Sequence, residues 1–212
     1  HSVKKIIVFG AAGRTGRKIT EYALEAGYAV TAFVHNNAAG LNHPSLKVVK
    51  GDVHDREKVF GAIQGHDIVI SAIGTNNIET DAVNIMSDAM KYFVEAMKQF
   101  SIQKVFAVGG LAVLQHDEKM QLLDKPDYPA AYKNVGEGHN KVYKVLRETD
   151  LNWTMICCPD IVDGARTGQY SVKKDYKPRG LFQIFTGDIA DFIIREIEDN
   201  NCPSTRVGIS NY

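Results

Sequence analysis

Short apolar runs alternate with amphipathic stretches along most of the chain. Ile6-Ile7-Val8-Phe9 is unbroken, rich in β-branched residues and bounded by glycine, the pattern of a strand buried on both faces. After Gly10-Ala11-Ala12-Gly13-Arg14-Thr15-Gly16 the period changes. Ile19, Ala23 and Ala26 recur at helical spacing, and Gly27 stops that helix. Residues 29–34 and 46–49 predict a second and a third strand. Asp55 is placed to cap a helix that carries Val59, Phe60 and Ile63 on one face. Residues 68–73 form a fourth apolar run ending at Gly74-Thr75-Asn76-Asn77. Met86, Met90, Phe93 and Met97 then make a stripe on a longer helix, which reads as core packing rather than a cofactor contact. A fifth strand over 105–108 ends at Gly109-Gly110.

Beyond this point the alternation weakens. Residues 111–131 hold charges and two prolines, Pro126 and Pro129, and predict a loop or short appendage over a site. A helix resumes near Val135, with His139, Val142 and Leu146 on one side. Residues 153–158 predict a sixth strand, ended by Pro159. Residues 163–187 look irregular and glycine-rich. Asp188 is expected to cap a last helix bearing Ile189, Phe192, Ile193 and Ile197, and residues 206–209 to form a final edge strand. Strands alternating with helices imply right-handed βαβ crossovers. The predicted fold class is therefore α/β: a doubly wound, mostly parallel, Rossmann-like sheet with helices on both faces. At 212 residues the chain suits one domain over 3–212, with 111–131 and 163–187 as a small substrate-covering region.

Composition narrows the partners. Lys plus Arg and Asp plus Glu both number 25, so no global field draws nucleic acid or an anionic membrane. No apolar run approaches the ~20 residues of a membrane span. No signal peptide is expected before the first strand, and His1-Ser2 reads as a tag remnant. The three cysteines, Cys157, Cys158 and Cys202, give no disulfide framework and are expected as reduced thiols in the cytoplasm. Cys157 and Cys158 fall in a strand and read as inert packing. Metal-ligand spacings are absent from the sequence, so no metal is expected.

The candidate chemistry lies at strand ends. In doubly wound sheets ligands bind beyond the carboxyl ends of the strands. The clusters Gly10 to Gly16, Gly74, Gly109-Gly110 and Pro159 all fall there, although each alone is an ordinary turn. Glycine lets backbone approach a pyrophosphate, and a helix N-terminus offers it free N–H groups and partial positive charge. The G-x-x-G-x-x-G spacing departs from the commonest dinucleotide fingerprint, G-x-G-x-x-G. NAD sites place an acid about 20 residues past the glycines to bind the ribose 2′-OH. Here no acid occurs between Glu25 and Asp52, and that stretch offers His35, Asn36 and Asn37, while the loop and first turn add Arg14 and Arg17. NADP is therefore expected over NAD.

Several pieces together resemble a known family. These are Val3-Lys4-Lys5-Ile6 leading into Phe9-Gly10-Ala11, Gly51-Asp52-Val53, Gly74-Thr75-x-Asn77, Lys144-Val145-Leu146-Arg147-Glu148, Thr167-Gly168-x-Tyr170 and the Asp188 helix start. The chain resembles the NmrA-like group of atypical short-chain dehydrogenases/reductases and, within it, the biliverdin-IXβ reductases, also called flavin reductases. That likeness implies that Gly10, Ala12, Gly13, Arg14 and Thr15, with Gly16 closing the turn, hold the pyrophosphate, and that Asp52 and Val53 flank the adenine. It implies Ile73, Gly74 and Thr75 at the ribose, and Val108, Gly109, Gly110, Pro159, Asp160 and Ile161 around the nicotinamide. His139 matches a family histidine facing the active site and, with Gly110 and Leu111, is assigned to the substrate.

The chain also departs from that family. His35 replaces an arginine, Gly110 a serine and Asp160 a histidine. There is no Tyr-x-x-x-Lys pair: Tyr132 is followed four residues later by Gly136, and Tyr143 by Arg147. An alcohol–ketone dehydrogenase that needs a lysine-assisted tyrosine acid is excluded. Flavin reduction needs no strong protein acid, only stacked rings and a short transfer distance. The glycines at 109 and 110 are expected to leave room for a flavin or a linear tetrapyrrole, and Asp160 to stabilise the oxidised cationic ring. The expected activity is NADPH-dependent reduction of flavin as substrate rather than prosthetic group, and of tetrapyrroles such as biliverdin, with His139 and Asp160 as the catalytic candidates. A monomer, or a weakly associated dimer, is expected. The rival is a redox sensor of the NmrA-like type that binds NADP without turnover and engages a protein partner. A nucleotide-sugar epimerase is disfavoured by the short chain.

Overall fold

A computed structural model describes residues 3–38, 40–74 and 83–212. The chain runs β1 (Lys5–Phe9), α1 (Arg14–Glu25), β2 (Ala29–Val34), β3 (Leu46–Lys50), α2 (Arg56–Ile63), β4 (Ile68–Ser71) and α3 (Ile85–Gln99). It continues as β5 (Lys104–Gly110), α4 (Lys133–Arg147), β6 (Asn152–Cys158), β7 (Ile161–Val162), β8 (Tyr170–Lys174), β9 (Ile184–Phe185), α5 (Thr186–Asp199) and β10 (Thr205–Asn211). Eight strands form one sheet in the order β3-β2-β1-β4-β5-β6-β10-β8. Every neighbour pair is parallel except β10 with β8. The winding reverses between β1 and β4, where a doubly wound sheet opens a crevice.

Strand β1 explains why the sheet is covered twice. Its side chains alternate, and both sets are buried. Ile6 and Val8 pack with Ile19 and Ala23 of α1 and with Ile189 and Ile193 of α5. Ile7 and Phe9 pack with α2, α3 and α4. Phe9 stacks on Phe93 at 4.1 Å between ring centroids and leans on Phe33 at 4.8 Å. The Met86, Met90, Phe93, Met97 stripe is buried core, as its spacing predicts. Asp55 caps α2 by accepting from the Lys58 N–H at 3.2 Å. Among the described residues no helix is long and apolar enough to cross a membrane.

Three sequence expectations need correction. The last strand is not an edge: β10 extends to Asn211 and lies between β6 and β8. The stretch 163–187 is not wholly irregular, because it contains β8 and β9. Strand β8 escaped pattern reading because it is the true edge, with exposed Lys173 and Lys174 where a buried strand carries apolar residues. Asp188 does not cap α5. The residue preceding that helix is Phe185, which offers no side-chain cap.

The Asp188 carboxyl group instead turns away and gathers loop and strand together. Oδ1 accepts from the N–H groups of Thr167 at 2.7 Å and Gly168 at 3.0 Å. Oδ2 accepts from Thr167 Oγ1 and Asn211 Nδ2, both at 2.8 Å. Tyr170 donates from its hydroxyl to Asp191 at 2.8 Å. The Thr-Gly-x-Tyr piece therefore fastens the 163–187 segment to α5. Asp188 is completely buried, so Asp188→Ala strands these donors around a cavity. A loss of about 2–4 kcal/mol in urea unfolding is expected; a loss below about 1 kcal/mol contradicts this role.

Candidate functional site

The turn between β1 and α1 is held closed by two glycines. Gly10 has φ +78°, and a Cβ there would stand 2.6 Å from the Ala72 carbonyl oxygen. At Gly16 a Cβ would stand 2.0 Å from the Gly10 carbonyl oxygen, so the first turn of α1 rests directly on that peptide. The Gly13 N–H donates to the same oxygen at 3.1 Å. Gly13 itself faces only a 3.4 Å contact, so its lack of a side chain is not a packing need. Helix α1 has no side-chain cap and no acid in its first turn. The N–H groups of Arg14, Thr15 and Gly16 find no acceptor among the described residues. Such an end, with three open donors and positive dipole, fits a diphosphate.

Arg14 reaches across the crevice. Its Nη1 lies 3.2 Å from Asp163 Oδ1 and 3.3 Å from the Ile161 carbonyl oxygen. Both side chains are more than half exposed, so the pair is worth about 0–1 kcal/mol and costs little to break. Arg17 pairs with Glu21 at 3.2 Å and lies beside Gly40, and His35 at the end of β2 is exposed.

A cleft of about 1030 Å³ runs from this turn along the strand ends. Gly13, Arg14 and Thr15 form one end of it. Ile73 and Gly74 follow β4, and Val108, Gly109 and Gly110 end β5. Pro159, Asp160 and Ile161 follow β6, and Leu111 and His139 close the far wall. Gly10, Ala12 and Gly16 build the turn without lining the cleft. His35, Asp52 and Val53 lie outside its lining, where β2 and β3 end on the same edge of the sheet. Thr75, like Asn76 and Asn77, lies outside the described residues. The fourth strand stops at Ser71, so Ile73 belongs to the loop rather than the strand.

The paired glycines do not leave the expected space. A Cβ at Gly109 would stand 2.4 Å from Met155 Cε, and one at Gly110 would stand 2.7 Å from His139 Cδ2. The room is taken from within, by a core methionine and by the histidine. Gly110 thus seats the His139 ring against β5, and a serine there would push it aside. His139 has no hydrogen-bond partner among the described residues. Burial pushes its pKa down to about 4, so the ring is neutral around pH 7. Asp160 binds through its backbone, accepting from Ile184 N–H at 2.9 Å, and leaves its exposed side chain at the cleft.

Pattern reading missed several lining residues. Tyr128 comes from 111–131, Tyr132 directly precedes α4, and Lys177 and Phe182 come from 163–187. The one available signal was an aromatic residue in a polar, proline-rich segment. Phe182 is 65 % and Tyr132 53 % exposed, where large apolar groups normally hide. Cys157 and Cys158 are buried, as their strand position implies. Burial pushes the Cys157 thiol up to about 12 and Cys158 well above its usual value, which leaves both unreactive although Cys158 touches the cleft.

Comparison with known proteins agrees with this geometry. A family model described as NAD(P)H-binding matches residues 10–200. The chain is 28% identical over 202 residues to the uncharacterized protein YwnB of Bacillus subtilis strain 168, covering 92% of each. Its fold superposes with a TM-score of 0.86 on a candidate NADH-flavin reductase of Streptococcus pneumoniae TIGR4, at 27% identity, covering 99% of this chain and 100% of that one. A short-chain dehydrogenase/reductase of Veillonella parvula in complex with NADP shares the fold, with a TM-score of 0.78 at 18% identity over 99% and 95% of the chains.

The state of His139 is testable through stability. In the unfolded chain a histidine takes up its proton near pH 6.5, but in the folded chain only near pH 4. The stability contributed by the neutral ring is therefore complete above about pH 6.5 and is lost as pH falls towards about 4. Wild type should lose more urea resistance across this window than His139→Gln. Parallel pH curves for the two proteins contradict the neutral ring.

Proposed function

We propose that this chain, which belongs to the NAD(P)H-binding family, is an NADPH-dependent reductase of flat conjugated acceptors. The acceptors are flavins (FMN, FAD or riboflavin), bound as substrates rather than prosthetic groups, and linear tetrapyrroles such as biliverdin. One observation carries this reading: a single cleft joins the open N-terminus of α1 to the Gly109-Gly110-His139 wall, so phosphates and reacting ring share one edge of the sheet. The likeness to the candidate flavin reductase of Streptococcus pneumoniae supports it.

The open N–H groups of Arg14, Thr15 and Gly16 would hold the diphosphate, with the Arg14 guanidinium exchanging Asp163 for a phosphate oxygen. Arg17 and His35 would meet the 2′-phosphate, while Asp52 and Val53 would flank the adenine. Ile73, Gly74 and Thr75 would border the ribose, and Val108, Gly109, Pro159, Asp160 and Ile161 the nicotinamide. When bound, NADPH supplies the hydride. The protein's part is to hold two flat rings together and keep water out. His139, neutral and unpartnered, would donate a hydrogen bond at the acceptor edge. Asp160 would favour the positive charge of the oxidised pyridine ring. The segments 111–131 and 163–187 would cover the acceptor. The cleft is complete within one chain, which supports a monomer, and three unpaired cysteines support a reducing compartment, the cytoplasm.

The missing serine at 110 and the absent tyrosine–lysine pair favour the second reading, a sensor that holds NADP without turnover. The two are separated by following NADPH oxidation with FMN or riboflavin. The reductase outruns the reaction in free solution. A sensor leaves that rate unchanged while NADPH still raises the melting temperature. Arg17→Ala should raise the KM for NADPH about tenfold and leave that for NADH unchanged, matching about 1.4 kcal/mol for one lost phosphate contact. Equal effects on both cofactors contradict 2′-phosphate binding.

A further inference from the structure

The acceptor end of the cleft contains a hydroxyl group that the reading above does not use. Tyr128 comes from the polar segment between β5 and α4, which carries no regular strand or helix at that point. Its ring is half-buried and its side chain lines the cleft. The reason it can lie there is Gly136, on the first turn of α4. A Cβ at Gly136 would stand 3.1 Å from the Tyr128 hydroxyl oxygen and 3.0 Å from both Ala112 Cβ and Leu123 Cδ1. The hydroxyl is therefore seated on bare helix backbone. His139 lies three residues further along the same helix, on the same face.

This hydroxyl has no hydrogen-bond partner among the described residues. Tyrosine hydroxyls that are drawn out of water normally find one. Two other tyrosines in this protein do: Tyr28 donates to Glu198 at 2.6 Å and Tyr170 to Asp191 at 2.8 Å. Tyr128 instead presents an unspent donor to the cleft. Burial, and then the neighbouring Tyr132, push its pKa above the usual tyrosine value, so the proton stays on oxygen at physiological pH. No lysine lies four residues on to lower it, since that position is Tyr132. The group is suited to donating a hydrogen bond and unsuited to giving up its proton.

We propose that Tyr128 binds the acceptor by donating a hydrogen bond from its hydroxyl to a carbonyl oxygen or ring nitrogen at the edge of the conjugated ring. The acceptor class follows from this pairing. It is a flat heteroaromatic or tetrapyrrolic ring with an oxygen or nitrogen acceptor on its rim, which Tyr128 and His139 meet from one wall. The inference rests on the cleft being the acceptor site of a reductase. No proton leaves Tyr128, so the hydride balance is that of the reductase itself.

The test uses Tyr128→Phe, which removes one oxygen and keeps the ring on Gly136. Steady-state NADPH oxidation is measured with FMN, and FMN binding is measured separately by quenching of its fluorescence in the presence of NADP. The variant should weaken FMN binding and raise its KM about fivefold to tenfold. NADPH affinity and melting temperature should stay at wild-type values, which a structural role for the hydroxyl would not allow. FMN binding and KM within twofold of wild type overturn the proposal while leaving the reductase standing. So does a fall in melting temperature and NADPH affinity that accompanies the FMN effect. If the wild type binds FMN without reducing it and the variant binds it less well, the reductase reading fails and the role of Tyr128 stands. If the wild type neither binds nor reduces FMN, both fail.

Discussion

The contact between Gly16 and the Gly10 carbonyl fixes how closely α1 sits on β1. With 2.0 Å between that oxygen and the place a Cβ would take, any other residue at 16 would lift α1 away from β1. Seated as it is, the helix begins directly above the switch between β1 and β4. It begins uncapped, so its first N–H groups open to the cleft rather than to a side chain. A helix end in this state suits an anion, because partial positive charge and unsatisfied donors coincide. The rest of the crevice extends from that point along the ends of β4, β5 and β6.

The opposite wall depends on a different kind of constraint. The segment 163–187 has little apolar surface to bury and stays in place through hydrogen bonds. Asp188 and Asp191 hold Thr167, Gly168 and Tyr170. Arg166 lies 3.8 Å above the Tyr22 ring and pairs with Glu25 and Asp191, tying the same segment to α1. Burial of the carboxyl groups makes these bonds costly to break, whereas the exposed Arg14–Asp163 pair is cheap to break. The segment can therefore stay anchored at its base while its contact with the glycine turn exchanges for a ligand.

Much of this was legible in the sequence. Strand β1, the glycine turn and the doubly wound, mostly parallel sheet followed from apolar runs and glycine positions, because burial on both faces of a parallel sheet leaves a strong signature. The chain pieces most like the flavin reductases carried a different message from the one expected. Thr167-Gly168-x-Tyr170 and Asp188 build the scaffold, and Lys144 to Glu148 end α4, so the family likeness there was a likeness of framework. Three things were not legible. Strand β8 is an edge whose residues face water and carry charge. Tyr128, Tyr132, Lys177 and Phe182 meet only through tertiary folding of two segments with no period. The space at Gly110 looked open in sequence because the ring that fills it, His139, arrives from a helix nearly thirty residues later.

The central claim is that a dinucleotide lies along this edge, diphosphate on the α1 N-terminus and pyridine ring at the end of β5. A crystal structure of the protein grown with NADP tests it most directly. The account predicts phosphate oxygens within hydrogen-bond distance of the Arg14, Thr15 and Gly16 N–H groups, with the nicotinamide between Gly109 and Pro159. A dinucleotide bound elsewhere, or lying along the edge with its diphosphate away from these three N–H groups, would contradict it.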